Sequence, residues 1–170
     1  MILDGFRKVN IQKKIVKGLL KSNSVKSDIN NRIDSILILV EDNSKEKLDQ
    51  IISKKLSIDV SKVTIVFFKT KQESDTNYKY ELTEKDFSLF GKLKNETIKK
   101  LIKSDFDLLL NYTNDNLYLN YLTAFSNTKF KVGLKGNHNE LFDLMINVDK
   151  ENVDLFHTEL VKYLKILNKI

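Results

Sequence analysis

The chain contains no cysteine, no proline and no tryptophan, and its only arginines are Arg7 and Arg32. Without cysteine there is no disulfide framework, no thiolate metal site and no cysteine nucleophile, which fits a reducing compartment. Histidine is equally scarce: His138 and His157 are the only side chains that titrate near neutrality without special help. There is no HExxH, no His-rich metal spacing, no GxSxG elbow and no aspartate ladder, so metal-hydrolase and serine-hydrolase chemistry have no footing. No apolar run approaches the ~20 residues of a membrane helix. The opening "MILDGFRKVNIQKK" carries Asp4, Arg7 and Lys8 where a signal peptide needs an uninterrupted apolar stretch. The expectation is a soluble, cytoplasmic chain.

What is present is an ordinary globular composition, 41% hydrophobic and 31% charged over 170 residues. A chain of this length folds as one domain and can bury roughly 70% of its unfolded surface. Its formal net charge of +6 rests almost wholly on lysine, alongside many isoleucines and asparagines. That pattern reads as the codon bias of an AT-rich genome. The arginine fork suited to bidentate phosphate and guanine contacts is nearly missing, so nucleic-acid binding is the second reading of the charge.

Two apolar periods alternate along the chain. Val9, Ile11, Ile15, Val16, Leu19 and Leu20 recur at helical spacing over 9–21. "DSILILVE" (34–41) and "KVTIVFFK" (62–69) are continuous apolar runs of the kind buried on both faces of a parallel sheet. Between them "NSKEKLDQIISKKLSI" (43–58) sets Leu48, Ile51, Ile52 and Leu56 on one helical face. This is a strand, helix, strand unit, which is built right-handed around a parallel sheet. Residues 70–93 read as a long crossing loop with a short strand or helix. A short helix over 95–103, a strand in "FDLLLNY" (106–112), a helix over 115–126, and strands in "KFKVGL" (129–134) and "LFDLMINV" (141–148) follow. Asp149 is placed to cap a final helix whose apolar face is Val153, Phe156, Leu160, Leu164 and Leu167, with His157 read as a surface residue. The fold expected is an α/β, Rossmann-like layered domain over 29–170, with a mostly parallel sheet and helices on both faces, preceded by a basic amphipathic amino-terminal helix over 1–28.

Ligands of open α/β sheets bind at the carboxyl ends of the strands. After the first strand stand Glu41, Asp42, Asn43 and Ser44, two carboxylates with no glycine, which argues against a dinucleotide site or a P-loop. Asp42, Asn43 or Ser44 reads instead as a plain helix cap. "NYTNDN" (111–116) mixes donors and acceptors that suit a sugar or a base. "KFKVGLKGN" (129–137) offers Gly133 for close backbone approach, and Gly136 with Asn137 for a turn, flanked by Lys135 and His138. No helix starts directly after it, so a turn between two sheet strands accounts for it. The candidate ligand set is Asn111, Thr113, Asn114, Lys135, Asn137 and His138. Asp107 and Asp143, a matched pair in "FDLLLN" and "FDLMIN", fall at the amino ends of their strands and read as structural bridges.

The strongest functional lead is the first helix. Between Asp4 and Asp28 there is no acid, while Arg7, Lys8, Lys13, Lys14, Lys17, Lys21 and Lys26 are all basic. Such a helix suits RNA phosphates, an acidic protein surface or an anionic membrane.

The stretch "SDFDLLLNYTNDNLYLNYLTAFSNTKFKVGL", with "LFDLMINV" and "ELVKYLKILNKI", resembles a family of small uncharacterised bacterial α/β proteins. That resemblance implies a fold and no active site. The "FDLLLN" strand, helix and "KVGL" strand are also similar to the amino-terminal Rossmann-like domain of heptosyltransferase-type glycosyltransferases. This second resemblance implies half of a two-domain enzyme, lacking the domain that holds the donor sugar nucleotide. The expectation is a non-catalytic module, with no cofactor, that contacts a nucleic acid or an acidic protein through Arg7, Lys8, Lys13, Lys14, Lys17 and Lys21. The alternative is a small-ligand or nucleotide-sugar binding domain.

Overall fold

A computed structural model describes residues 2–22, 32–41, 47–70, 78–113, 115–136, 138–149 and 151–170. Helix α1 (Ile2–Ser22) leads into β1 (Ile36–Glu41), α2 (Leu48–Leu56), β2 (Val63–Phe68) and β3 (Glu81–Leu82). Then come α3 (Glu96–Lys103), β4 (Leu108–Asn111), α4 (Leu117–Phe125), β5 (Phe130–Leu134), β6 (Leu144–Ile146) and α5 (Val153–Ile166). The strands form one sheet in the order β3-β2-β1-β4-β5-β6, and all its pairings are parallel. This is an α/β domain with Rossmann-like strand order.

The layering follows from handedness. The chain moves one way from β1 to β2 and the opposite way from β4 to β5, so right-handed crossovers put α2 and α4 on opposite faces. Leu48, Ile52 and Leu56 of α2 pack with Ile36, Ile38 and Val40, joined by Phe156, Leu160 and Leu164 of α5. On the other face Leu119 and Leu122 of α4 pack with Leu37, Leu39 and Leu109, joined by Ile11 and Ile15 of α1 and Ile98 and Ile102 of α3. Ile36 to Val40 are wholly excluded from solvent. Each such side chain contributes about 1.5–3 kcal/mol of transfer free energy.

Helix α1 is held from two sides. Gly18 faces the Phe125 ring of α4, where an added Cβ would stand 3.2 Å from it. The turn at Ser88–Lys92 docks on the helix backbone: Gly91 has φ +67° and a Cβ there would lie 2.7 Å from the Ile11 nitrogen. Only glycine meets both demands. Asn10 Nδ2 adds a hydrogen bond to the Leu89 carbonyl at 3.0 Å.

Several local expectations are corrected. The segment 141–148 is strand only over 144–146; Leu141 closes a 3-10 turn and is buried, and Phe142 covers Gly133. Asn152, not Asp149, caps α5, accepting from the Leu155 N–H at 3.3 Å, while the Asp149 carbonyl accepts from the Asn152 N–H. His157 is buried and Leu167 is exposed, because α5 turns His157 toward Tyr112. Ile51 is partly exposed rather than on the buried face of α2. That helix begins at Leu48 with Lys47 at the cap position, and Asp42, Asn43 and Ser44 lie outside the described residues.

The matched aspartates clip strand starts together. Asp107 Oδ2, just ahead of β4, accepts from the Asp34 and Ser35 N–H groups at 3.0 Å and from Ser35 Oγ at 2.9 Å, all entering β1. Its Oδ1 accepts from Lys129 Nζ at 2.7 Å, just ahead of β5. Asp143, ahead of β6, accepts from the Lys131 N–H at 2.8 Å. Burial alone would raise the Asp107 carboxyl, but Lys129, the Asp34 N–H and Ser35 outweigh it and hold it below its ordinary range. A carboxyl depressed on folding stabilises above its unfolded pKa of ~3.9 and loses that stabilisation as pH falls through the folded value. Asp107→Asn is therefore expected to cost about 1.5–3 kcal/mol in urea unfolding at pH 7. The gap to the parent should close below about pH 4, and a gap independent of pH would contradict the ion-paired role.

Candidate functional site

The topological switch point lies between β1 and β4, where crossovers depart in opposite directions. Glu41 ends β1 and Asn111 ends β4. Asn116 ties the end of β1 to α4: its Oδ1 caps α4 by accepting from the Tyr118 and Leu119 N–H groups at 3.1 and 3.0 Å. Its Nδ2 donates to Glu41 Oε1 at 3.0 Å. This polar tie was missed in the sequence, although an asparagine directly before the apolar period of α4 is a legible cap signal.

Asn111 turns inward. Its Nδ2 donates to Asn120 Oδ1 and Thr123 Oγ1, both at 3.1 Å, and its Oδ1 accepts from the Thr113 N–H at 3.0 Å and Thr113 Oγ1 at 2.9 Å. The amide is saturated, and Asn111, Asn120 and Thr123 are wholly buried. Asn120 Nδ2 has no hydrogen-bond partner. On the opposite face Tyr112 Oη meets His157 Nε2 at 2.8 Å, and burial holds the Tyr112 hydroxyl well above its ordinary pKa.

Lys135 and His138 lie in the β5–β6 connection. Lys135 is exposed, its N–H donating to the Ile146 carbonyl at 3.1 Å; His138 Nδ1 is 3.3 Å from Glu140 Oε1. The Gly136 N–H donates to Asn139 Oδ1 at 2.9 Å. No hydrogen bond joins this pair to Asn111 and Thr113 among the described residues. Asn114 and Asn137 lie outside the described residues. At Gly133 an added Cβ would stand 2.4 Å from the Phe142 ring, so this glycine admits a core aromatic. The connection is a parallel crossover built on one 3-10 turn, Asn139–Leu141, rather than a hairpin.

The basic residues of α1 divide by face. Arg7 points inward, its Nη1 donating to the Glu84 carbonyl at 3.2 Å and its Nη2 lying 3.7 Å from Asp4. Lys14 is half-buried, while Lys8, Lys13 and Lys17 are exposed; the side chain of Lys21 lies outside the described residues. The outward face also carries exposed apolar groups: Leu3 (62%), Phe6 (50%), Val9 (46%) and Val16 (56%). Beside it Phe90, 73% exposed, meets Phe6 edge-on at 6.4 Å. The helical period grouped Val9 and Val16 with Ile11 and Ile15, and the structure separates them: Ile11 and Ile15 face the core, while Val9 and Val16 are exposed on the other side of the helix.

If Asn111 serves the fold, Asn111→Leu strands Asn120 Oδ1, Thr123 Oγ1 and the Thr113 N–H, with an expected loss of about 2–4 kcal/mol in urea unfolding. A loss below about 0.5 kcal/mol would show the network to be dispensable and return Asn111 to the ligand set.

No curated protein and no solved structure matches the chain, so the likeness to glycosyltransferases gains no support from them. Residues 8–167 match one family description, and since that span takes in β1 to β6 and α2 to α5, the chain belongs to the Family of unknown function (DUF6913).

Proposed function

We propose that this protein is a non-catalytic binding module that engages an anionic macromolecular partner through the outward face of α1. The observation that carries this reading is the composition of that face: Lys13 and Lys17 project beside exposed Phe6, Val9 and Val16, and Lys8 is exposed on the flank of the same helix. After Asp4, which faces Arg7, the helix has no acid to oppose them. Arg7 serves the reading indirectly, by fastening α1 to the Glu84 carbonyl so that the lysines stand on a fixed surface. Exposed groups fixed in place lose little freedom when a partner docks.

Lys8→Glu/Lys13→Glu/Lys17→Glu tests the reading against a variant of equal net charge, Lys54→Glu/Lys55→Glu/Lys100→Glu, whose lysines are exposed on α2 and α3. Binding is measured to heparin, homopolymer RNA, poly-glutamate and anionic vesicles at low and moderate salt. The parent and the α2/α3 variant should bind at least one of these in a salt-sensitive manner, and the α1 variant should lose about a hundredfold or more. All three should melt within a few degrees of one another. Failure to bind any polyanion, or equal losses in both variants, would sink the reading.

A further inference from the structure

Resting on that reading, we infer that the partner of this face is the surface of an anionic lipid bilayer, on which α1 lies in the plane of the headgroups. The face combines two chemistries that few other partners satisfy together. Phe6, Val9 and Val16 form an exposed apolar ridge along the helix with Leu3 beside its first turn, and the span from residue 6 to 16 is about 15 Å at the α-helical rise. Phe90 extends the ridge sideways from the Ser88–Lys92 turn, whose Gly91 is seated on the α1 backbone, so the Phe6–Phe90 pair is held in place before contact. Lys13 and Lys17 stand among these apolar groups, Lys8 is exposed on the flank of the helix, and exposed Lys92 and Lys94 follow Phe90 in the chain.

A bilayer interface receives both components: aromatic and aliphatic side chains enter the boundary between headgroups and acyl chains, and lysines remain with the lipid phosphates. A nucleic acid backbone would satisfy the lysines and leave Leu3, Val9 and Val16 in water. A second copy of the same face would set lysine against lysine. The ridge is convex, so a protein partner would need an apolar groove of matching length with an acidic rim, whereas lipid deforms around it. Among the described residues no helix is long and apolar enough to cross a membrane, so the contact drawn from this face lies in the interface plane.

The chain has no tryptophan, so Phe90→Trp supplies a single reporter at an exposed position. Ile166→Trp, also exposed but on α5, is its control. Each is titrated with phosphatidylcholine vesicles with and without phosphatidylglycerol, at low and moderate salt. The expected result is sedimentation with anionic vesicles and a blue shift with quenching by brominated lipid at Trp in position 90 but not 166. Binding to neutral vesicles should be weaker by tenfold or more. At ~1 kcal/mol for each basic residue at an anionic surface, the α1 triple reversal loses on the order of a hundredfold. Phe6→Ser/Phe90→Ser, altering two exposed side chains, should lose about tenfold or more with an unchanged melting midpoint. Binding of RNA or poly-glutamate without vesicles overturns the lipid assignment and leaves the binding module standing. Vesicle binding with no shift at position 90, or unchanged by the Phe substitutions, also overturns it. No binding to any of these ligands overturns both.

Discussion

Everything in this fold depends on β1 being buried from both sides. Ile36 to Val40 expose no surface, and β2 and β4 occupy both of its edges in parallel register. A strand in that position needs helices above and below it, and connections of one hand supply them by running outward in two directions. The aspartates at the amino edge then hold the register. Asp107 ties the entry of β1 to β4 and β5, and Asp143 ties β5 to β6.

The same constraint explains why α1 is more than a leading segment. On its face of the sheet, Ile11 and Ile15 enter the cluster built on Leu37, Leu39 and Leu109, and α1 packs along α4. Its inner half belongs to the core. Its outer half is left with Phe6, Val9, Val16 and three lysines facing water, fixed by Arg7, Asn10 and Gly91 on one side and by Gly18 on the other. A helix immobilised in this way has a surface that is preorganised rather than assembled on contact.

Much of the architecture was legible in the sequence because buried parallel strands read as unbroken apolar runs: "ILILV", "VTIVFF" and "LLL" announce themselves. β5 was harder. Phe130, Val132 and Leu134 alternate with Lys131 and Gly133, the pattern of a half-exposed strand, yet every residue is buried. Gly133 is covered by Phe142, and Lys131 is enclosed where burial, with Lys103 nearby, lowers its ammonium against the pull of Asp143. β6 is short because Leu141, Phe142 and Asp143 each serve a packing or clipping contact that no local pattern encodes. The proposed ligand set was the least legible. Asn111 reads in sequence as a ligand group at the sheet edge, and His157, outside that set, as a surface residue; only tertiary contacts with Asn120, Thr123 and Tyr112 make them interior. The bridge from Asn116 to Glu41 was half legible, as a cap without its partner.

The central claim is that α1 is an integral layer of the domain whose outer face alone is free. Native-state hydrogen exchange across α1 and β1 tests it most directly. Amides around Ile11 and Ile15 should exchange only through global opening, with the same free energy and denaturant dependence as those of Leu37 to Leu39. If α1 instead exchanged by local detachment, with protection several kcal/mol below that of β1, the helix would be an appendage and the fixed binding face would not exist.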